Sequence, residues 1–343
     1  MFGKLRTPST VGLVPTYVIP NARSEEADER PERRVSGLQA MGASQSIEGS
    51  SAPTEHVLVV GGTGRTGRRL VKRLCADPHF EVTAVVRSHE KAQLVFGEDL
   101  DAINVVEGDL TDVEAWAHRL EGVSQIVTAV SSGLCTDAAV VLGAKEAPPN
   151  LPMSTDGEGI AKLADAAKQH GVRRMVAVTT ASAGSPWSPA AIFLNAYHYC
   201  SVKWKWEGEQ AIRASGLDYV VLRPYGLGRD VAPPPGKRGI EFTQGKSPGG
   251  TRRRIPREDV ARLCHEALLL DPSSSRRATF ECWATEEHGR PMDWNSLQSD
   301  PPGRLPEVNH DAPLAVVTGG SALLTAGVLR SAVRLAARLA SRT

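Results

Sequence analysis

The feature that most constrains this chain is a junction. Four apolar residues, Val57-Leu58-Val59-Val60, read as a buried strand and run directly into Gly61-Gly62-Thr63-Gly64-Arg65-Thr66-Gly67, after which residues 68–75 favour a helix. A phosphate-bearing nucleotide needs this set of parts. The first glycine permits a tight turn, the second lets the backbone approach a pyrophosphate, and the third lets helix and strand pack closely, with the helix N-terminus facing the anion. A chain with 32 glycines produces such a spacing by chance as well, so its position between strand and helix carries the inference. The candidate contacts in the loop are Gly61, Thr63, Gly64, Arg65, Thr66 and Gly67.

A second buried strand over residues 81–87 arrives about 20 residues after the loop, the distance a Rossmann unit requires. It ends in Arg87. An acidic residue there would accept a hydrogen bond from the ribose 2′-hydroxyl of NAD, whereas a guanidinium pairs in bidentate fashion with the 2′-phosphate of NADP. NADP is therefore the expected cofactor, and NAD is the alternative if Arg87 is only a solvated strand-end cation. Arg65 adds a second positive charge for the adenosine phosphates. Ser88 and Lys91 are lesser candidates for the same pocket.

Beyond this unit strand-like and helix-like runs alternate, the mark of an α/β fold with a doubly wound parallel sheet. Residues 103–106, 125–130, 174–179 and 218–222 read as strands. Residues 112–120, 156–168 and 196–214 read as helices, the last two closed by Gly171 and Gly216. At 343 residues the chain has length for two domains. Residues 1–54 lack apolar periodicity, however, and residues 286–310 are rich in Pro, Asp, Glu and Gly, so one Rossmann-like domain over 55–285 with extensions on both sides fits better. A net charge of +1 leaves no basic surface of the kind a nucleic acid needs, and Arg252-Arg253-Arg254 is too short to change that. Five cysteines, at 75, 135, 200, 264 and 282, form no Cys-x-x-Cys pair, so neither a metal site nor a disulfide framework is expected.

The two ends differ in character. Residues 1–24 hold Lys4, Arg6 and Arg23 with several Ser and Thr but no Asp or Glu, the composition of an organelle transit peptide; an ordinary extension is the alternative. After the linker of 286–310, the segment 311–343 has an uncharged stretch over 312–329 followed by Arg330, Arg334, Arg338 and Arg342. Three readings stand for it: a weakly membrane-associated tail, a basic amphipathic helix lying on an anionic surface or partner, and a helix docked on its own domain.

Together the Gly61–Gly67 loop, Gly108-Asp109-Leu110, the Ala-Ala-Lys-x-x-Gly-Val-Arg-Arg run at 166–174 and Ser215-Gly-Leu-Asp-Tyr-Val-Val-Leu-Arg-Pro224 resemble the short-chain dehydrogenase/reductase superfamily, in its atypical, NAD(P)H-binding, NmrA-like branch of plant and algal type. The resemblance covers roughly residues 55–285. It implies a chloroplast destination for the N-terminal extension, with mitochondrion and cytoplasm as alternatives. It also implies that Asp109 receives the adenine amino group, that Leu110 packs beside the ring, and that Arg223-Pro224 ends a strand beneath the nicotinamide. For Asp109 the local alternative is a loop cap, and for Pro224 a strand terminator.

Catalysis rests on thinner ground. Tyr199-Cys-Ser-Val-Lys203 has the Tyr-x-x-x-Lys spacing that many members of the superfamily use for carbonyl reduction, and on a helix that spacing puts both side chains on one face. A neighbouring ammonium would lower the phenol's pKa from about 10 and make it a usable acid. Lys203 would also hold the nicotinamide ribose, and Ser182, or else Thr180, would bind the substrate oxygen. Against this, the stretch 197–206 is aromatic enough to be a packing face, and many atypical relatives keep a Lys and a Glu four residues on, read here as Lys203 and Glu207, without a tyrosine. Two functions follow: an NADP(H)-dependent oxidoreductase acting on a small carbonyl or alkene, or a non-catalytic NADP(H)-binding sensor or assembly factor with a protein partner. In the first, loops 133–152 and 231–250 would enclose the substrate.

Overall fold

The computed structural model describes residues 55–132, 150–228, 238–245, 253–271, 276–288, 292–305 and 308–313. The expectations for residues 1–54, for most of the loops 133–152 and 231–250, for Cys135, for Arg252 and for the tail beyond 313 lie outside the described residues.

In chain order the elements are β1 (Glu55–Val60), α1 (Gly67–Cys75), β2 (Phe80–Val86), α2 (His89–Phe96), β3 (Asn104–Glu107), β4 (Gln125–Thr128), α3 (Glu158–Gln169), β5 (Arg174–Val178), α4 (Pro189–Tyr197), α5 (Ser201–Ala214), β6 (Asp218–Pro224), β7 (Gly226–Leu227), β8 (Arg238–Thr243), β9 (Arg254–Ile255), α6 (Arg257–Leu268) and β10 (Ala278–His288). Eight strands form one sheet in the order β3-β2-β1-β4-β5-β6-β10-β8, and β7 pairs with β9 apart from it. All neighbours in the large sheet are parallel except β10 and β8. From β1 the chain first builds outward to β2 and β3 and then returns to the other side with β4, so the topological switch point lies between β1 and β4. This is the expected Rossmann-like doubly wound α/β sheet.

The strands are apolar on both faces because both faces are covered. Along β1, Val57 and Val59 belong to one core with Leu70, Val71 and Leu74 of α1 and Val260, Leu263 and Ala267 of α6. Leu58 and Val60, one residue out of step, belong to the other core with Leu163 and Ala167 of α3 and Ile212 of α5. The period of two along a strand is thus read out as two separate cores.

Three elements depart from the expectations. The helix expected over 112–120 is replaced by two short 3-10 turns, Leu110–Asp112 and Ala117–Leu120. Trp116 decides this, since its indole N–H donates to the Asp109 carbonyl at 3.0 Å and its ring lies where a side chain at Gly108 would be. The long helix expected over 196–214 is broken: α4 ends at Tyr197, Tyr199 and Cys200 take left-handed backbone angles of φ 50° and 57°, and α5 starts at Ser201. Asn195 makes the break possible, because its side-chain oxygen accepts the N–H groups of Val202 and Lys203 and caps the new helix. Each left-handed non-glycine residue costs on the order of 1–3 kcal/mol.

The third departure is the span 286–310, expected as a bare linker. β10 continues to His288, and the described residues after it are packed. Met292 and Leu297 enter the core of α1 and α6. Asp300 accepts hydrogen bonds from Thr279, Arg213 and Tyr219, Leu305 exchanges hydrogen bonds with the Gln210 side chain, and His310 is buried. Its apolar residues are too sparse for any period; among the described ones, Met292 and Leu297 reach the core and Trp294 donates its indole N–H to Glu266.

Candidate functional site

The candidate site is built on the C-terminal ends of the parallel strands, where an open α/β sheet places its ligand crevice. Beyond β1, Gly61 has φ +85°, and a Cβ there would come within 2.9 Å of the Ala129 carbonyl beyond β4. A Cβ on Gly67 would collide with the Gly61 carbonyl, so the start of α1 lies directly against the turn. The turn is closed by hydrogen bonds from Gly64 N–H to Gly61 O at 2.9 Å and from Arg68 N–H to Gly64 O at 3.0 Å. The first turn of α1 holds no acidic residue and no side-chain cap, so its positive end is not neutralised from within the helix. Thr63 and Gly64 are half-buried, Thr66 is buried and Arg65 is exposed. These residues fit a dinucleotide pyrophosphate in backbone shape and in sign of charge.

Arg87 follows the last residue of β2 and is exposed, and Ser88 beside it caps α2 by accepting the Lys91 N–H. The Ser88 hydroxyl is therefore engaged in starting that helix, whereas the Lys91 side chain is exposed. Asp109 follows β3 and serves as a cap: its Oδ1 accepts the N–H and hydroxyl of Thr111 at 2.9 and 3.0 Å. Leu110 is buried in the core beneath α3. The Pro224 carbonyl, at the end of β6, accepts the Ala181 N–H at 3.1 Å and ties the turn after β5 to β6. Ser182 and Thr180 lie half-buried in that turn.

The expected pairing of Tyr199 with Lys203 on one helix face does not form. Tyr199 sits in the left-handed break and Lys203 in the first turn of α5, where its ammonium pairs with Asp311 at 2.7 Å. The lysine turned toward the glycine loop is Lys205. Its Nζ donates to Asp156 Oδ1 at 2.5 Å and to the Val130 carbonyl at 3.3 Å, and Val130, with Ala129, is what a Cβ on Gly61 would meet. Asp156 is buried on a π-helical turn, Met153–Gly157, which opens α3; its Oδ2 accepts the Thr155 hydroxyl and the Ser132 N–H. Single π turns of this kind recur at functional sites.

Glu207 is half-buried, and the buried carboxylate of α5 stands two residues on. Glu209 is the fully buried carboxylate, accepting from Arg223 Nη2 at 2.5 Å, Arg213 Nη2 at 3.2 Å and the Thr179 hydroxyl at 2.6 Å. Burial pushes its pKa up, and Arg223 foremost, with Arg213 and Thr179, more than reverses this, holding it below the ordinary carboxylate value. Arg223 thus points into the core, stacked over Trp206. Lys205, Asp156 and Glu209 were missed, yet a signal for the last was present: Val202, Trp206, Glu209 and Arg213 follow the helical period from an apolar anchor, and Glu207 does not. Cys200 is buried, which raises its pKa to about 11 and leaves a thiol.

Comparison with known proteins agrees with this geometry. Residues 61–271 match the model of a family described as NAD(P)H-binding. An uncharacterised chloroplastic protein of Arabidopsis thaliana is 32% identical over 234 residues, covering 66% of this chain and 76% of that protein. A putative NAD-dependent epimerase/dehydratase from Bacillus halodurans shares the fold with a TM-score of 0.53 at 24% identity, over 68% of this chain and 96% of that one. A short-chain dehydrogenase/reductase from Veillonella parvula, solved in complex with NADP, shares it with a TM-score of 0.50 at 16% identity, over 68% and 96%. The chain belongs to the NAD(P)H-binding family, and its relatives are consistent with an atypical short-chain dehydrogenase/reductase of plant type.

Proposed function

We propose that this protein is a chloroplast NADP(H)-dependent oxidoreductase acting on a small, largely apolar carbonyl or alkene. The observation that carries the cofactor choice is Arg87, exposed at the end of β2 where an acidic residue would select NAD. The glycine turn would hold the pyrophosphate, Arg65 and Arg87 the adenosine phosphates, and Asp109, through its second oxygen, the adenine. The NADP bound to the Veillonella relative and the chloroplastic location of the Arabidopsis relative support the reading.

When bound, the cofactor supplies or accepts a hydride. Lys205 replaces Lys203 as the cation that orients the nicotinamide ribose: Asp156 and Val130 hold its ammonium at the end of β4, so no rotamer search is needed when the ribose arrives. Ser182 or Thr180 would donate to the substrate oxygen from the turn after β5. Tyr199 lies in the left-handed break before α5 and not on the helix face of Lys203, so the four-residue spacing no longer argues for it as the acid.

The test is a screen of the purified protein with NADPH against quinones, aldehydes and enones. Lys205→Ala is expected to weaken NADPH binding about tenfold and to lower turnover, and Tyr199→Phe to leave both nearly unchanged. A loss on the order of 10² or more in Tyr199→Phe, the contribution of a general acid, would restore the tyrosine as proton donor. NADPH binding without turnover of any substrate would favour the sensor reading.

A further inference from the structure

The helix α4 and the end of the C-terminal strap meet at one place. α4 reads Pro-Ala-Ala-Ile-Phe-Leu-Asn-Ala-Tyr and carries no charge. Asn195 is buried and committed to His310 and to the cap of α5. Phe193, although its ring meets His198 edge-on, is 55% exposed, and Trp187, just before the helix, is 59% exposed. More than half of the surface of each aromatic residue is thus left in water, apolar area whose burial would be favourable.

The strap runs antiparallel along α5. Asp300 meets Arg213, Leu305 meets Gln210, His310 meets the Trp206 ring, and Asp311 meets Lys203. The α5 helix begins at the ligand edge of the sheet, so the strap ends there too. Its last polar anchor is His310, whose Nδ1 lies 3.3 Å from Asn195 Nδ2 of α4 and whose Nε2 donates to the Ala183 carbonyl at 3.0 Å. Pro313, buried, is the last described residue. Residues 314–329, which follow it, contain no charged residue, and the arginines resume only at 330.

We propose that residues 314–329 of this chain dock on the exposed face of α4 and cover Trp187 and Phe193. The strap delivers them to the edge of α4, so binding is intramolecular, with an effective concentration in the millimolar range even if each contact is weak. Sixteen residues span about 24 Å as a helix, against about 13 Å for the nine of α4, so reach is not limiting. The absence of charge on both sides means that no ionised group is desolvated by docking, which would not hold for residues 330–342.

Hydrogen–deuterium exchange with peptide resolution tests this on the full chain, on a chain ending at Pro313, and on the full-length double variant Leu323→Asp/Leu324→Asp. Amides of 187–197 are expected to exchange at least tenfold more slowly in the full chain than in the other two, at protein concentrations where light scattering gives a monomer, while β1 and β4 exchange equally in all three. Equal exchange of 187–197 in all three proteins overturns the proposal. So does protection that appears only with anionic phospholipid vesicles, which would assign the surface to a bilayer, or protection that tracks dimer mass, which would assign it to a second copy.

Discussion

Glu209 has 0% exposure and two guanidinium partners, and a buried carboxylate in that setting is tolerable only while both partners stay. Glu209→Gln leaves Arg223 buried without its anion and Arg213 with Asp300 alone, and equilibrium urea unfolding is expected to show a loss of about 3–5 kcal/mol. The pH dependence has a defined sign. The folded-state pKa lies below the unfolded value of about 4.3, so the stabilisation is fully present above that pH and is lost as pH falls through the folded value. The wild-type unfolding midpoint should therefore drop below pH 4 more steeply than that of the Gln variant. How much of this was legible in the sequence varies by residue. The glycine turn was, because strand, turn and helix are contiguous and each glycine answers a local steric demand. Four-residue spacing is satisfied by Lys203 and Glu207 as well as by Lys205 and Glu209, so spacing alone does not single out the pair that the fold turns inward. Only the register of the buried stripe separates them.

At the scale of elements, the parallel strands were legible because burial on both faces demands continuous apolar runs, whereas the break between α4 and α5 was not. It depends on Asn195 reaching forward seven and eight residues to cap a helix, and on two residues accepting left-handed angles, neither of which leaves a periodic trace. The strap was hidden for a related reason: its hold on the domain consists of single side chains meeting distant partners. Asp300 is the main one, touching Arg213, Tyr219 and the Thr279 hydroxyl. Asp300→Ala is expected to cost about 2–3 kcal/mol in chemical denaturation, since it strips a charge-assisted bond and leaves buried donors behind. An effect below about 0.5 kcal/mol would mean that the strap rests on the domain without supporting it.

For the whole molecule, the doubly wound sheet concentrates the ends of β1, β2, β3 and β4, and with them the glycine turn, Arg87, Asp109 and the Val130 to Lys205 to Asp156 chain, along one edge. That concentration follows from topology, because every parallel strand ends on the same side. Among the described residues no helix is long and apolar enough to cross a membrane. On the proposed reading, this edge holds NADP(H) through the cation at the end of β2, Arg87. Titration of the purified protein with NADPH and with NADH, by calorimetry or nicotinamide fluorescence, tests it most directly when repeated on Arg87→Ala. NADPH is expected to bind at least tenfold more tightly than NADH in the wild type, with most of that preference gone in the variant and NADH affinity unchanged. Equal affinity for the two nucleotides in the wild type, or a preference that survives Arg87→Ala, would contradict it.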